Sequence, residues 1–203
     1  MRHTDPDVFG LNVPNFLTVL RILLVPVLVV VLLGASKSDG DVLAAIVFGI
    51  ASFTDAIDGW LARRHEAITT FGKLMDPVAD KLLIIAALLS LVSLNRLDAW
   101  VAMVIIAREF AVTVTRMAAT QQGVVIAANW WGKAKTVVQV QAIFFLIAMG
   151  TPTPLWVDIW VYAAVLITVI SGIDYFFGLR RHLNEADREA AEADAAAAER
   201  APA

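Results

Sequence analysis

Apolar residues come in long, nearly unbroken runs in this chain, separated by short polar stretches. Neither the alternation of a half-buried strand nor the stripe of a surface helix accounts for them. The runs cover about Phe16–Leu33, Val42–Ala62, Pro77–Leu94, Ala99–Ala119, a fifth ending near Met149, and Leu155–Phe177. A bilayer core takes roughly 20 apolar residues to cross as a helix, and each run reaches that length with its flanks. The pattern predicts an all-α polytopic membrane protein with six transmembrane helices, preceded by a short interfacial segment, MRHTDPDVFGLNV. The first run holds Thr18, Arg21 and Pro26 and lacks a small-residue cleavage site, so it reads as a retained span rather than a signal peptide. A loop with Asn129, Gly132, Lys133 and Lys135 precedes the fifth run, and a Thr-Pro-Thr-Pro turn precedes the sixth. No repeat divides the runs, so residues 1–182 are expected to form one membrane domain. The Ala/Glu-rich residues 183–203 follow as a solvated helix or a flexible tail.

Composition sharpens this. The chain has 203 residues, 59% of them hydrophobic and 17% charged, far from a soluble domain. The net charge of −3 offers no basic balance for nucleic acid, and the absence of cysteine excludes disulfides and thiolate metal sites. His3, His65 and His182 lie outside the apolar runs and read as interfacial or solvated. Six spans put both termini on one side, together with Arg2, Arg63, Arg64, Lys73, Lys133, Lys135, Arg180 and Arg181. The opposite side has only Lys37 and Arg96. The positive-inside bias then makes the side of the termini cytoplasmic.

Within the stretch DAIDGWLARRHEAITTFGKLMDPVAD, Asp55 and Asp58 stand three residues apart and Asp76 and Asp80 four. On a helix each pair shares a face. A charged aspartate in a span costs about 2.5–3.5 kcal/mol on insertion scales, so several together need a cation, water or a partner. Only oxygen donors are offered, which suits Mg²⁺, Mn²⁺ or Ca²⁺ rather than zinc. Taken singly, Asp76 before Pro77 fits a helix start with an acidic N-cap, and Asp55 could pair with Arg63 or Arg21. Caps and ion pairs do not explain the four acids together with Gly59, Arg63 and Gly72.

These residues resemble the signature of the CDP-alcohol phosphotransferase family, D-x-x-D-G-x-x-A-R-x(8)-G-x-x-x-D-x-x-x-D. Asp55, Asp58, Gly59, Ala62, Arg63, Gly72, Asp76 and Asp80 fill every fixed position. The stretches PNFLTVLR, AREFAVTVTR, GKAKTVVQ and SGIDYF extend the likeness, within the family, to the bacterial phosphatidylglycerophosphate synthases. The resemblance implies transfer of a phosphatidyl group from CDP-diacylglycerol to a small alcohol, with CMP leaving, and the use of Mg²⁺ or Mn²⁺ as a pair of ions. It implies Asp55, Asp58, Asp76 and Asp80 as metal ligands and Asp80 also as the base. Gly59, Arg63, Thr69 and the segment holding Asn15 and Thr18 would bind CDP-diacylglycerol. It further implies a homodimer in the inner membrane of a bacterium, among membrane lipids, with a cytoplasmic active site.

The acceptor alcohol rests on cations outside the signature. Arg108 and Arg116 lie on one face of the fourth run, with Glu109 beside them, and Lys133 and Lys135 precede the fifth. They read either as a pocket for the phosphate of glycerol 3-phosphate or as a buried ion-pair network and positive-inside markers. An inositol phosphate would ask for the same pocket, and phosphatidylglycerol, the acceptor of a cardiolipin synthase, is a further alternative within the family. In another class, a divalent-cation transporter would place its acids near mid-membrane between repeated halves, and neither feature is visible here.

Overall fold

The computed structural model describes the backbone of residues 13–34, 41–65, 70–121 and 130–200, and the side-chain surroundings of 18–34, 41–54, 81–120, 130–181 and 188. Six helices, and no strand, occupy the described residues: α1 (Val13–Gly34), α2 (Val42–His65), α3 (Thr70–Ser93), α4 (Ala99–Gln121), α5 (Trp130–Met149) and α6 (Leu155–Arg200). The all-α expectation holds. Two stretches among the described residues, Trp130–Met149 and Leu155–Arg181, are long and apolar enough to cross a membrane. Thr18–Gly34, Val42–Thr54 and Lys81–Ser93 are shorter apolar helical stretches. Of the interfacial segment foreseen over residues 1–13, all but Val13, which opens α1, lies outside the described residues.

Two helices start earlier than the sequence suggested. α3 begins at Thr70, so Asp76 and Pro77 lie inside it and Asp76 does not cap its start. α5 begins at Trp130, which moves Gly132, Lys133 and Lys135 from a loop into its first turns. Lys135 is nearly completely buried there, and a loop lysine has no such neighbours to hold it. α6 runs on through the tail for 46 residues, about 69 Å at 1.5 Å per residue, twice what a bilayer core needs.

The helix ends at one pole of the bundle have identifiable stops and starts. Asp41 accepts the Ala44 N–H at 2.9 Å, capping α2, and its own N–H reaches the Ile147 carbonyl near the end of α5 at 3.0 Å. Asn95, at φ 55°, closes α3 as the Arg96 N–H turns back onto the Leu91 carbonyl at 2.9 Å. Gly150, at φ 67°, ends α5, where a side chain would be strained. Thr153 donates to Asp158 at 2.9 Å at the head of α6. Trp100 stacks near Tyr162, and Phe145 meets Trp156 edge-on at 4.9 Å, gathering aromatic rings at this pole. The opposite pole therefore holds the end of α2 and the start of α3, beside the end of α4 and the start of α5.

The core lies along the axis, built from Leu28 and Leu32 of α1, Phe48 of α2, Leu83, Leu88 and Leu91 of α3, and Ile143 and Ile147 of α5. α1 packs on α3 and α2, α5 on α6 and α2, and α4 on α6. Buried Ala44, Ala51, Ala87, Ala102, Ala142 and Ala164 let these backbones approach closely. That is how apolar helices associate where lipid removes the hydrophobic driving force.

Candidate active site

At the pole opposite the capped turns, α2 carries Asp55, Asp58, Gly59 and Arg63 towards its end, and α3 carries Gly72, Asp76 and Asp80 towards its start. The backbone thus brings both acid pairs to one end of the bundle. Their side chains, and that of Asn15 on α1, lie outside the described ones, and Thr69 lies outside the described residues altogether. Thr18 and Arg21 on α1 are buried to about 1% exposure, and both are engaged in polar contacts.

Directly after Asp80 a cluster of charge begins among the described side chains. Glu109 of α4 accepts Lys81 of α3 on Oε2 and Lys135 of α5 on Oε1. Arg108 Nη1 stands 3.3 Å from the same Oε1. Arg108 Nη2 donates to Ser171 Oγ of α6 at 3.0 Å, and Ser171 Oγ donates to the Thr168 carbonyl at 3.0 Å. Four helices are therefore tied through one carboxylate. Glu109 and Lys135 are each only 4% exposed. Leaving either charge without its partner in such surroundings costs several kcal/mol. Among the described residues the cluster gathers three cations around one buried carboxylate, and Lys81 has a further contact besides.

Why the helices deliver these groups here follows from spacing. Lys81 stands one residue after Asp80, so the acid pair and the cation fall within about a turn and a half of α3. Gln139 lies four residues beyond Lys135 on α5 and faces inward with it, buried to 2%. Gly172 lets Arg108 cross towards α6, since a Cβ there would sit 3.3 Å from Arg108 Cγ. A cavity of about 370 Å³ opens beside the cluster between α2, α3, α4 and α5, lined by Lys81, Glu109 and Lys135 with Ser52, Gln139 and apolar side chains.

The four acceptor-site candidates divide. Arg108 and Lys135 meet on Glu109, as described. Arg116 is exposed and lies over the Tyr175 ring, 5.8 Å from its centre, and Lys133 is exposed in the first turns of α5. Neither Arg116 nor Lys133 joins the Glu109 cluster among the described residues. Lys81, which sequence reasoning passed over, takes part in it instead. Its signal is local: a lysine at the head of an apolar run needs a counter-charge.

A hard divalent cation fits the donor set at this pole by its chemistry, four carboxylates on two adjoining helices with no sulfur or imidazole among them. Among the described side chains, which do not include those four carboxylates, no group of three metal-ligating residues occurs.

Comparison with known proteins adds to this geometry. Residues 11–172 match the sequence model of the family described as CDP-alcohol phosphatidyltransferase. A Bacillus subtilis protein named CDP-diacylglycerol--glycerol-3-phosphate 3-phosphatidyltransferase is 41% identical over 180 residues, covering 81% of this chain and 93% of that protein. A Mycobacterium tuberculosis protein named "Probable phosphatidylglycerophosphate synthase" is 43% identical over 167 residues, covering 81% and 79%. A Haemophilus influenzae protein with the same name as the Bacillus one is 35% identical over 170 residues, covering 81% and 91%.

Proposed function

The chain belongs to the CDP-alcohol phosphatidyltransferase family, and from that premise we propose that it transfers the phosphatidyl group of CDP-diacylglycerol to glycerol 3-phosphate, giving phosphatidylglycerophosphate and CMP. The observation that carries the choice of acceptor is the cluster of Lys81, Arg108 and Lys135 on buried Glu109, beginning one residue after Asp80. A phosphate monoester is a dianion near neutral pH, and a cavity lined by Lys81 and Lys135 offers charge-assisted hydrogen bonds to it. The names of the relatives support the same acceptor.

In the reaction the 1-hydroxyl oxygen of glycerol 3-phosphate forms a bond to the phosphorus that bears diacylglycerol. The bond from that phosphorus to the oxygen of CMP breaks, and CMP leaves with the electron pair. The hydroxyl proton passes to the Asp80 carboxylate. Gly59, Arg63, Thr69, Asn15 and Thr18 hold the CDP moiety, with the arginine countering pyrophosphate charge. Asp55, Asp58, Asp76 and Asp80 would hold Mg²⁺ or Mn²⁺, as two ions. When bound, the metal supplies neutralisation of the pyrophosphate and of the charge that develops on the leaving CMP. Lys81, Arg108 and Lys135 hold the acceptor phosphate, and Glu109 keeps the two lysines apart and in place. Arg116 and Lys133 act at the entrance, drawing the anion in from solution.

The same reading takes all six helices as membrane spans, with both termini and the aspartates on the cytoplasmic side of a bacterial inner membrane. Residues 1–182 then form the catalytic membrane domain, residues 183–203 a cytoplasmic tail, and the enzyme works as a homodimer. A lipid headgroup and a water-soluble phosphate can meet only at that interface, and the pole holding the acid pairs suits the meeting.

The test is an acceptor panel. Purified protein with CDP-diacylglycerol and Mg²⁺ is offered glycerol 3-phosphate, glycerol, inositol phosphate or phosphatidylglycerol, and CMP release is followed. Glycerol 3-phosphate should give the highest kcat/KM. A higher value with inositol phosphate or phosphatidylglycerol would reassign the acceptor.

A further inference from the structure

On the outer side of the bundle, α4 and α6 leave between them an open groove of about 720 Å³. That is within the roughly 300–1,000 Å³ of small-molecule sites. It exists because α4 presents small Ala107 and Ala111 where α6 presents Ile173 and Phe177. Those two α6 side chains are more than half exposed at its edges. Among the described residues the lining is apolar except for two arginines, Arg108 and Arg180, and includes no carboxylate.

Arg108 reaches this groove from the far side of the Glu109 cluster. Its two terminal nitrogens are engaged, by Glu109 and Ser171, whereas its Nε is buried without a hydrogen-bond partner among the described residues. Arg180 stands two turns further along α6, about 12 Å from Gly172 at 1.5 Å per residue, towards the pole of the acid pairs. It is exposed at the end of the apolar stretch Leu155–Arg181. An apolar slot the height of part of a bilayer leaflet, ending in a cation at the interface, matches an acyl chain joined to a phosphate. A second copy of the chain fits less well. The neighbouring exposed side chains of α4 and α6, such as Phe110, Val114, Leu166 and Ile170, are apolar. A two-fold pairing through them would bring no counter-charge to either arginine.

We propose that this groove binds an anionic phospholipid of the surrounding membrane, with an acyl chain between α4 and α6 along Ile173 and Phe177 and the headgroup phosphate at Arg180. The site lies on the opposite side of Arg108 from the acceptor cluster and does not depend on which alcohol the enzyme uses.

The full chain in neutral detergent, incubated with phosphatidylglycerol or with phosphatidylcholine of the same acyl chains, provides the test by native mass spectrometry of the bound lipid. Wild type should retain phosphatidylglycerol over phosphatidylcholine. Arg180→Gln should weaken phosphatidylglycerol about fivefold, the effect of one interfacial cation, and leave phosphatidylcholine unchanged. Ile173→Trp, which fills the slot, should release both lipids. Equal retention of the two lipids by wild type, or retention of phosphatidylglycerol unchanged in Arg180→Gln, would overturn the proposal. So would an Ile173→Trp protein that keeps its lipid but changes from dimer to monomer in size-exclusion chromatography, which would assign the groove to a second copy. Should Ile173→Trp not fold, the Arg180→Gln comparison decides alone.

Discussion

Glu109 is one carboxylate shared by Lys81, Arg108 and Lys135, and its burial makes the sharing consequential. Removing it by Glu109→Ala leaves Lys135 buried with no described carboxylate, which should lower stability by about 3–5 kcal/mol. The fall is measurable as a lower midpoint in detergent unfolding. Removing a cation is a different matter, because Glu109 keeps two others. Lys135→Ala should therefore fold and raise the KM for glycerol 3-phosphate about tenfold or more, the value of a charge-assisted hydrogen bond, with little change in the KM for CDP-diacylglycerol. Arg116→Ala, outside the cluster and over Tyr175, should change either KM less than about threefold. An equal rise for both substrates in Lys135→Ala would mean that the lysine only supports the fold. Arg108 and Glu109 are adjacent in sequence, and their pairing was legible there as one of two readings. Lys81 and Glu109 lie 28 positions apart. No local spacing rule reaches across that separation, so the third cation emerged only once α3 and α4 were packed.

At the scale of elements the sequence located six helices and misjudged where two of them start. Lys133 and Lys135 looked like loop residues because polar side chains usually mark the end of a span. One of them turns inward to a buried partner, and the helix begins five residues before it. Asp76–Pro77 looked like a helix start because proline is favoured there, but it also fits inside a helix when other bonds hold the turn. The four-helix junction at Glu109 depends on α6 coming close to α4 at Gly172. Gly172→Val should push Arg108 away from Ser171 and raise the glycerol 3-phosphate KM, as steady-state kinetics would record. Gly178, one and a half turns on, meets nothing within 4 Å of an added Cβ. Gly178→Ala should leave KM unchanged and add up to about 1 kcal/mol of helix stability, seen as a higher unfolding midpoint.

Among the described residues the outer face is largely apolar, and several charged and polar side chains are buried within an otherwise apolar core. Large exposed hydrophobic side chains occur on all six helices, from Leu23 on α1 to Phe177 on α6. The buried Glu109, Lys135, Arg21 and Gln139 lie within. An apolar outer face over buried polar groups suits the proposed placement of the bundle in a bilayer. The absence of native cysteine makes topology easy to read. Thr153→Cys should react with an impermeant maleimide on intact cells, and Arg181→Cys only after lysis. Reaction at both on intact cells would break the six-span arrangement. The acid signature pointed to the family from sequence, and the cation cluster on Glu109 became complete only in three dimensions. The central claim joins the two: the hydroxyl of glycerol 3-phosphate attacks the lipid-bearing phosphorus. Purified protein supplied with CDP-diacylglycerol and glycerol 3-phosphate carrying heavy oxygen in its 1-hydroxyl, with products read by mass spectrometry, should place the label in the new lipid and none in CMP. Label in CMP, or a lipid product without it, would contradict the account.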